Sequence, residues 1–272
     1  MIGLLEDDST SGAARSITDQ PGPQNLVVAD WGAASRQGSQ RLRNEDSWGQ
    51  VGPVFVVADG MGGLDAGDQA SQMATRTLIS QWFDGESRNP IEVARFVNER
   101  VRQVTAEHDS GGTTLSALRI AHDQATILHI GDSRIYRVRD GRAEQMTRDH
   151  NLRAELLSAG IVPKSAQNLG PLRALTSFLG MPLEDLHVDV RSIALRDGDV
   201  LVLCTDGVFD AMTQPAFASV VFGAEGRSAA ELARDLTDDL TLGARPDDAT
   251  AIVMKIGTAQ IETNFGTTKG HS

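Results

Sequence analysis

Aspartate sits at the end of an apolar run at four places in this sequence. "VFVVADGMGG" (54–63) passes from hydrophobic residues straight into Asp59, "ILHIGDSR" (127–134) reaches Asp132, and "VLVLCTDGV" (200–208) reaches Asp206. "RPDDATAIVMK" (245–255) opens a further run just after Asp247 and Asp248. Desolvating an unpaired carboxylate beside a core is costly, so each of these needs a cation, hydrogen-bond donors or open water. Taken singly, such an aspartate is an ordinary turn or helix-capping residue. Four of them on strands lying side by side would converge at one edge, where their mutual repulsion requires cations. Oxygen ligands without paired His or Cys select hard divalent ions, Mg²⁺ or Mn²⁺, over zinc. The glycines after Asp59 and Asp206 would let a backbone carbonyl or a bound phosphate approach closely. Phosphate also calls for a fork of N–H donors, and "RLRNEDSW" (41–48) offers Arg41 or Arg43, although either alone reads as a surface ion-pair partner. Cys204 reads as core, since it lies in an apolar strand and no arginine follows it in "CTDGVFD" to cradle phosphate. His129 in "LHIGD" reads as structural; His150 in "TRDH" either supports the site by hydrogen bonding or is a loop residue.

The elements that must position these groups are legible as apolar periodicity. Strand-length runs recur as "NLVVA", "VFVVA", "TTLSALRI", "ATILHI", "RIYRVR", "DVLVLC" and "ATAIVMKI". Helical spacing appears at Ala70, Met73, Ala74, Thr77 and Leu78, at Ala94, Val97, Val101 and Val104, and at Ala229, Leu232, Ala233, Leu236 and Leu240. Strands in succession, with helices in groups, predict antiparallel sheets with helices outside. Residues 149–175, with Gly160, Pro163, Gly170 and Pro171, interrupt the pattern with a short helix and then a Pro- and Gly-punctuated stretch, and read together as an insertion or flap that carries Arg153, Lys164 and Arg173. Residues 1–24 and 258–272 read as flexible tails, leaving a domain over 25–257. A net charge of −12 argues against nucleic-acid binding. No apolar run approaches the ~20 residues of a membrane span. The absence of a secretory start and a single cysteine predict a soluble, cytoplasmic protein with no membrane partner.

In order and approximate spacing, "RLRNED" (41–46), "DGMGG" (59–63), "GGTT" (111–114), "GDSR" (131–134), "TRDH" (147–150), "LCTDGV" (203–208) and "PDDAT" (246–250) resemble the signature elements of the metal-dependent protein phosphatases. These are the type 2C serine/threonine phosphatases of the PPM family, and "DGMGG" is similar to the bacterial branch. The resemblance covers roughly residues 25–257. It implies an α+β fold, a four-layer α-β-β-α sandwich of two antiparallel sheets flanked by helices, with a dinuclear Mn²⁺ or Mg²⁺ site at one end. Carried over, Asp59 resembles the bridging carboxylate, Gly60 the residue offering its backbone carbonyl, and Asp206 and Asp247 the further ligands. Asp132 matches the ligand of a third, weaker metal. Arg41 matches the phosphate-binding arginine, with Glu45 and Asp46 holding metal-bound waters or orienting it, and Arg43 solvated.

The activity so implied is hydrolysis of phosphoserine and phosphothreonine in phosphoproteins by direct attack of a metal-bridging hydroxide, without a phosphoenzyme. A cognate Ser/Thr kinase and its targets are the implied partners. The sequence departs from the family pattern at Met61, where many eukaryotic members carry a histidine proposed as general acid. It departs again at Asp248, where asparagine is common, which leaves open whether Asp247 or Asp248 binds metal, and at Leu64 and Asp65, where bacterial relatives often have a histidine. A phosphoprotein-binding relative without activity should have lost ligands, and all four aspartates are present. A scaffold acting through the tails has no readable motif.

Overall fold

The structure is a computed structural model that describes residues 26–62, 66–83, 88–107, 111–161, 170–223, 225–238 and 246–259. Leu64 and Asp65, Lys164 and the centre of the expected flap, the N-terminal tail and all but the start of the C-terminal one lie outside these residues.

Alternation along the strands builds two sheets with a shared core. One sheet holds β1 (Leu26–Arg36), β11 (Ala249–Thr258), β10 (Val200–Cys204), β7 (Arg134–Arg139) and β8 (Arg142–Gln145) in that order. The other holds β2 (Asp46–Val51), β3 (Val54–Met61), β5 (Leu115–Ala121), β6 (Gln124–Ile130) and β9 (Asp189–Ala194), with the two-residue β4 (Gly112–Thr113) pairing the end of β3. Every pairing is antiparallel. In β3, Phe55 and Val57 face the second sheet and meet Leu201, Leu203, Ile252 and Met254. Val54 and Val56, one residue out of phase, face the helices, as the two-residue period of a strand requires.

Those helices form the outer layers. On the β3 side lie α1 (Ala66–Trp82) and α2 (Pro90–Thr105), whose Ala70, Ala74, Leu78, Val97 and Val101 are fully buried. On the other face lie α4 (Asp206–Phe209), α5 (Gln214–Phe222) and α6 (Ala229–Thr237), burying Val208, Phe217, Leu232 and Leu236 against β10 and β11. The expected four-layer sandwich is therefore the observed one. Between β8 and β9 the chain leaves the sheets, forming α3 (Leu152–Ser158), capped by Asn151 (Oδ1 to Ala154 N, 3.0 Å), and a 3₁₀ turn at Gly170–Arg173. The last strand reaches one residue into the segment read as a tail, because Thr258 pairs with Leu26.

Candidate metal centre

The carboxylates of the four apolar runs do converge, and the sheet pairing shows how. Asp59 lies within β3 rather than past its end, directly opposite Asp46 of β2. Its backbone is held from the other side: Asp59 N–H donates to Thr114 Oγ1 (2.9 Å), and Thr113 Oγ1 donates to the Asp59 carbonyl (2.9 Å). Thr114 Oγ1 also meets Ser133 Oγ at 2.7 Å, which ties Asp59 to the turn carrying Asp132. The "GGTT" and "GDSR" stretches are thus the clamp that fixes β3 at this point. From the facing sheet, β10 delivers Asp206 as the first residue of α4, and the neighbouring Thr205 donates its hydroxyl to Asp46 Oδ2 at 2.8 Å.

The electrostatics of this edge are those of excess negative charge. Burial first, then the charges of Asp46, Asp206 and Asp132, hold the Asp59 carboxyl well above the usual carboxylate range. Burial pushes Asp46 up to about 8 against the hydrogen bonds of Thr250 and Thr205, and burial with Asp206 and Asp149 pushes Asp132 up to about 7. Asp206 is raised by burial and then by Asp247. Asp46 Oδ1 and Asp206 Oδ1 are buried with no hydrogen-bond partner. Buried, unpartnered anionic oxygens that face like charges fit hard cations.

Arg41 stands at the rim. Its Nε donates to Asp247 Oδ1 (2.7 Å), its Nη2 lies 2.6 Å from the same oxygen, and its Nη1 lies 3.4 Å from Glu45 Oε2. Burial is the largest influence and opposes its charge, but Asp247, Asp248 and Asp59 together outweigh it and hold its pKa above the ordinary arginine value. Orientation of Arg41 therefore falls to Glu45 and Asp247; Asp46 is engaged by Thr205 instead. Arg43 is half exposed and reaches no closer than 3.9 Å to Asp68.

Asp247 and Asp248, undecided from sequence, differ sharply. Asp248 is 3 % exposed and accepts the N–H groups of Gly38 (2.8 Å) and Glu45 (2.8 Å), one on each oxygen. It staples the loop carrying Arg41 and Glu45 to the start of β11. The Asp247 side chain is 37 % exposed and faces Arg41. The glycines prove to admit the protein's own backbone: a Cβ on Gly60 would overlap the carbonyl of Gly67, and one on Gly207 that of Asp248.

Sequence reasoning missed Thr205 and Asn151, whose Nδ2 donates to Asp132 Oδ2 at 3.3 Å. Asn151 carried a signal, since it directly precedes the helical pattern "LRAELL" as an N-cap does; Thr205 carried none. Cys204 is buried, and His129 is a core residue bridging Ser116 (2.8 Å) and the Arg148 carbonyl (3.0 Å). His150 accepts the Gly131 N–H at 3.2 Å and so supports the turn bearing Asp132. His150, His187 and Asp189 also cluster closely. Because Nδ1 of His150 is the acceptor, its Nε2 carries the proton and donates to Asp189 (3.2 Å), which fills the place a metal would need.

The sequence model of the family described as Protein phosphatase 2C matches residues 37–240. The chain is 33 % identical over 178 residues to protein phosphatase PhpP of Streptococcus pneumoniae, covering 62 % of this chain and 72 % of that protein. It is 30 % identical over 250 residues to the serine/threonine protein phosphatase PstP of Mycobacterium tuberculosis, covering 89 % of this chain and 47 % of the other. The crystal structure of the Mycobacterium tuberculosis phosphatase PstP/Ppp superposes with a TM-score of 0.75 at 27 % identity, covering 86 % of this chain and 99 % of that one. The catalytic domain of PstP in complex with two manganese ions gives 0.72 at 28 % identity, covering 85 % and 98 %.

Proposed function

This chain belongs to the protein phosphatase 2C family, and on that premise we propose that its carboxylate edge is the active centre of a metal-dependent protein serine/threonine phosphatase. Asp59, the Gly60 carbonyl, Asp206 and Asp247 hold two Mn²⁺ or Mg²⁺ ions in this reading, and Asp132 a third. The observation that carries it is the cluster of like-charged carboxylates from β3, β2 and α4, with the Asp46 and Asp206 Oδ1 atoms buried and unpartnered, beside a half-exposed arginine at the rim. Such ions, when bound, activate water and neutralise phosphate charge. The chain's own residues do the rest. Arg41, held at the rim by Glu45 and Asp247, meets the incoming phosphate from solvent. Asp46 and Thr205 fix the relation between the two sheets at the site. Asp248 is a positioning residue, leaving Asp247 as the ligand of the pair. Phosphoproteins are the substrates, a cognate Ser/Thr kinase shares its targets, and residues 25–257 suffice for activity in the cytoplasm. Among the described residues no helix is long and apolar enough to cross a membrane.

The test is phosphate release from a phosphothreonine peptide and an aryl phosphate, with Mn²⁺, with Mg²⁺, with Zn²⁺ and with chelator. Turnover with the first two, lost in chelator and not restored by zinc, is expected. Full turnover in metal-free buffer would overturn the reading.

A further inference from the structure

A second feature adjoins the carboxylate edge and is used by none of the chemistry above. Between α3, the β7–β8 hairpin and α4–α5 lies a cavity of about 1120 Å³. Its wall is common with the metal centre: Asn151 both lines the cavity and donates to Asp132 at 3.3 Å, and α4 runs from Asp206 at the centre to Phe209, which lines the cavity with the C-cap Asp210. One helical turn is about 5.4 Å of rise, a little under two residues of extended peptide. A peptide with its phosphate at the carboxylate edge would therefore bring residues about two to four positions away into this cavity.

The cavity is cationic although the protein carries a net charge of −12. Its two carboxylates are already neutralised by arginines: Asp149 by Arg134 (3.0 and 2.7 Å), whose guanidinium also lies 3.7 Å above the Phe209 ring, and Asp210 by Arg173. Two further arginines on the lining have no such partner. Among the described residues, neither Arg148 nor Arg153 pairs with a carboxylate, and the Arg153 Nε–H is buried and donates to nothing. Arg148 is exposed at the mouth, and Arg153 is half-buried on α3 behind its cap Asn151. A buried guanidinium N–H without an acceptor is costly, and a carboxylate or phosphate oxygen relieves that cost with a charge-assisted bond.

We propose that this cavity receives an anionic side chain, a carboxylate or a second phosphate, from the substrate segment flanking the phosphoserine or phosphothreonine, with Arg148 and Arg153 as its contacts. The inference rests on the phosphatase reading and narrows its substrates to acidic or multiply phosphorylated segments.

The experiment uses the full chain with Mn²⁺ and three phosphothreonine peptides that differ at one flanking position: glutamine, glutamate or phosphoserine, with mass spectrometry reading which phosphate leaves. The glutamate and phosphoserine arms separate the two sources of negative charge. Preference for a charged arm over the glutamine peptide by about tenfold in kcat/KM, chiefly through KM, is expected. Arg148→Gln, at an exposed position that leaves the fold intact, should weaken the preference, and Arg148→Gln with Arg153→Gln should abolish it. Equal turnover of all three peptides by the unaltered protein would overturn the proposal, as would a preference that survives in both variants. Hydrolysis of none of them, nor of an aryl phosphate, would instead mean that the phosphatase reading has failed and this inference with it.

Discussion

At the scale of single residues, the site separates acids that face solvent or each other from acids that hold the backbone. Asp59, Asp132 and Asp206 are half-buried against like charges, whereas Asp248 is buried among N–H donors. That distinction was not available from "PDDAT", because adjacent aspartates look alike until the loop that one of them binds, more than 200 residues earlier, is brought beside it. The arginines looked as alike as the aspartates: "RLRNED" left Arg41 and Arg43 open and only the resemblance pointed to Arg41, which the folded loop sets against Asp247 and Glu45. Arg41→Ala should raise KM for phosphopeptides and weaken inhibition by inorganic phosphate while sparing kcat more, because it removes a substrate contact and leaves the carboxylates in place. Steady-state kinetics beside Arg43→Ala checks this. Equal damage from both substitutions would show that Arg41 is not the specific phosphate contact.

At the scale of elements, buried strands were readable, and of the four edge strands only β1 was, through its apolar start "NLVVA". β3, β5, β6, β10 and β11 are apolar on both faces because helices cover one side and the second sheet the other. β2 "DSWGQV", β8 "RAEQ" and β9 "DVRSIA" lie at sheet edges, where half-exposed polar residues leave no apolar alternation to detect. That cost the site reading one element, because β2 is the strand that sets Asp46 against Asp59. α5, "QPAFASVVF", escaped for another reason: it is apolar without a clear stripe, so no helical period stands out. The join between elements is itself testable. Asp248→Ala removes two charge-assisted bonds that hold the β1–β2 loop to β11 and should cost about 3 kcal/mol in chemical denaturation. Asp248→Asn, which keeps one acceptor, should cost about half of that. If both variants match the parent in stability and in phosphate inhibition, the stapling role is wrong.

At the scale of the whole molecule, two sheets are brought together by an apolar core while their common edge collects charge that opposes folding. Without metal, the folded protein holds Asp132 and Asp46 at about 7 and about 8, far above the unfolded value of about 3.9. A raised carboxyl pKa means that the folded state binds more protons, so its contribution is full below the unfolded pKa and is lost as pH rises through the folded one. His129, lowered to about 4 by burial and then His150, acts in the opposite sense between its folded value and about 6.5. The carboxylates therefore dominate from about pH 6.5 to 8, where metal-free stability should fall with rising pH and Mn²⁺ should restore it. Thermal melts across that range check the sign, and a metal-free melting temperature that rises toward pH 8 would refute it. Whether the carboxylate edge holds a metal pair is decided by calorimetric titration of Mn²⁺ into the parent protein and Asp59→Asn. Two tightly bound ions are expected in the parent and a marked loss of affinity in the variant, whose circular dichroism stays unchanged; equal Mn²⁺ binding by the two proteins would mean that Asp59 holds no metal.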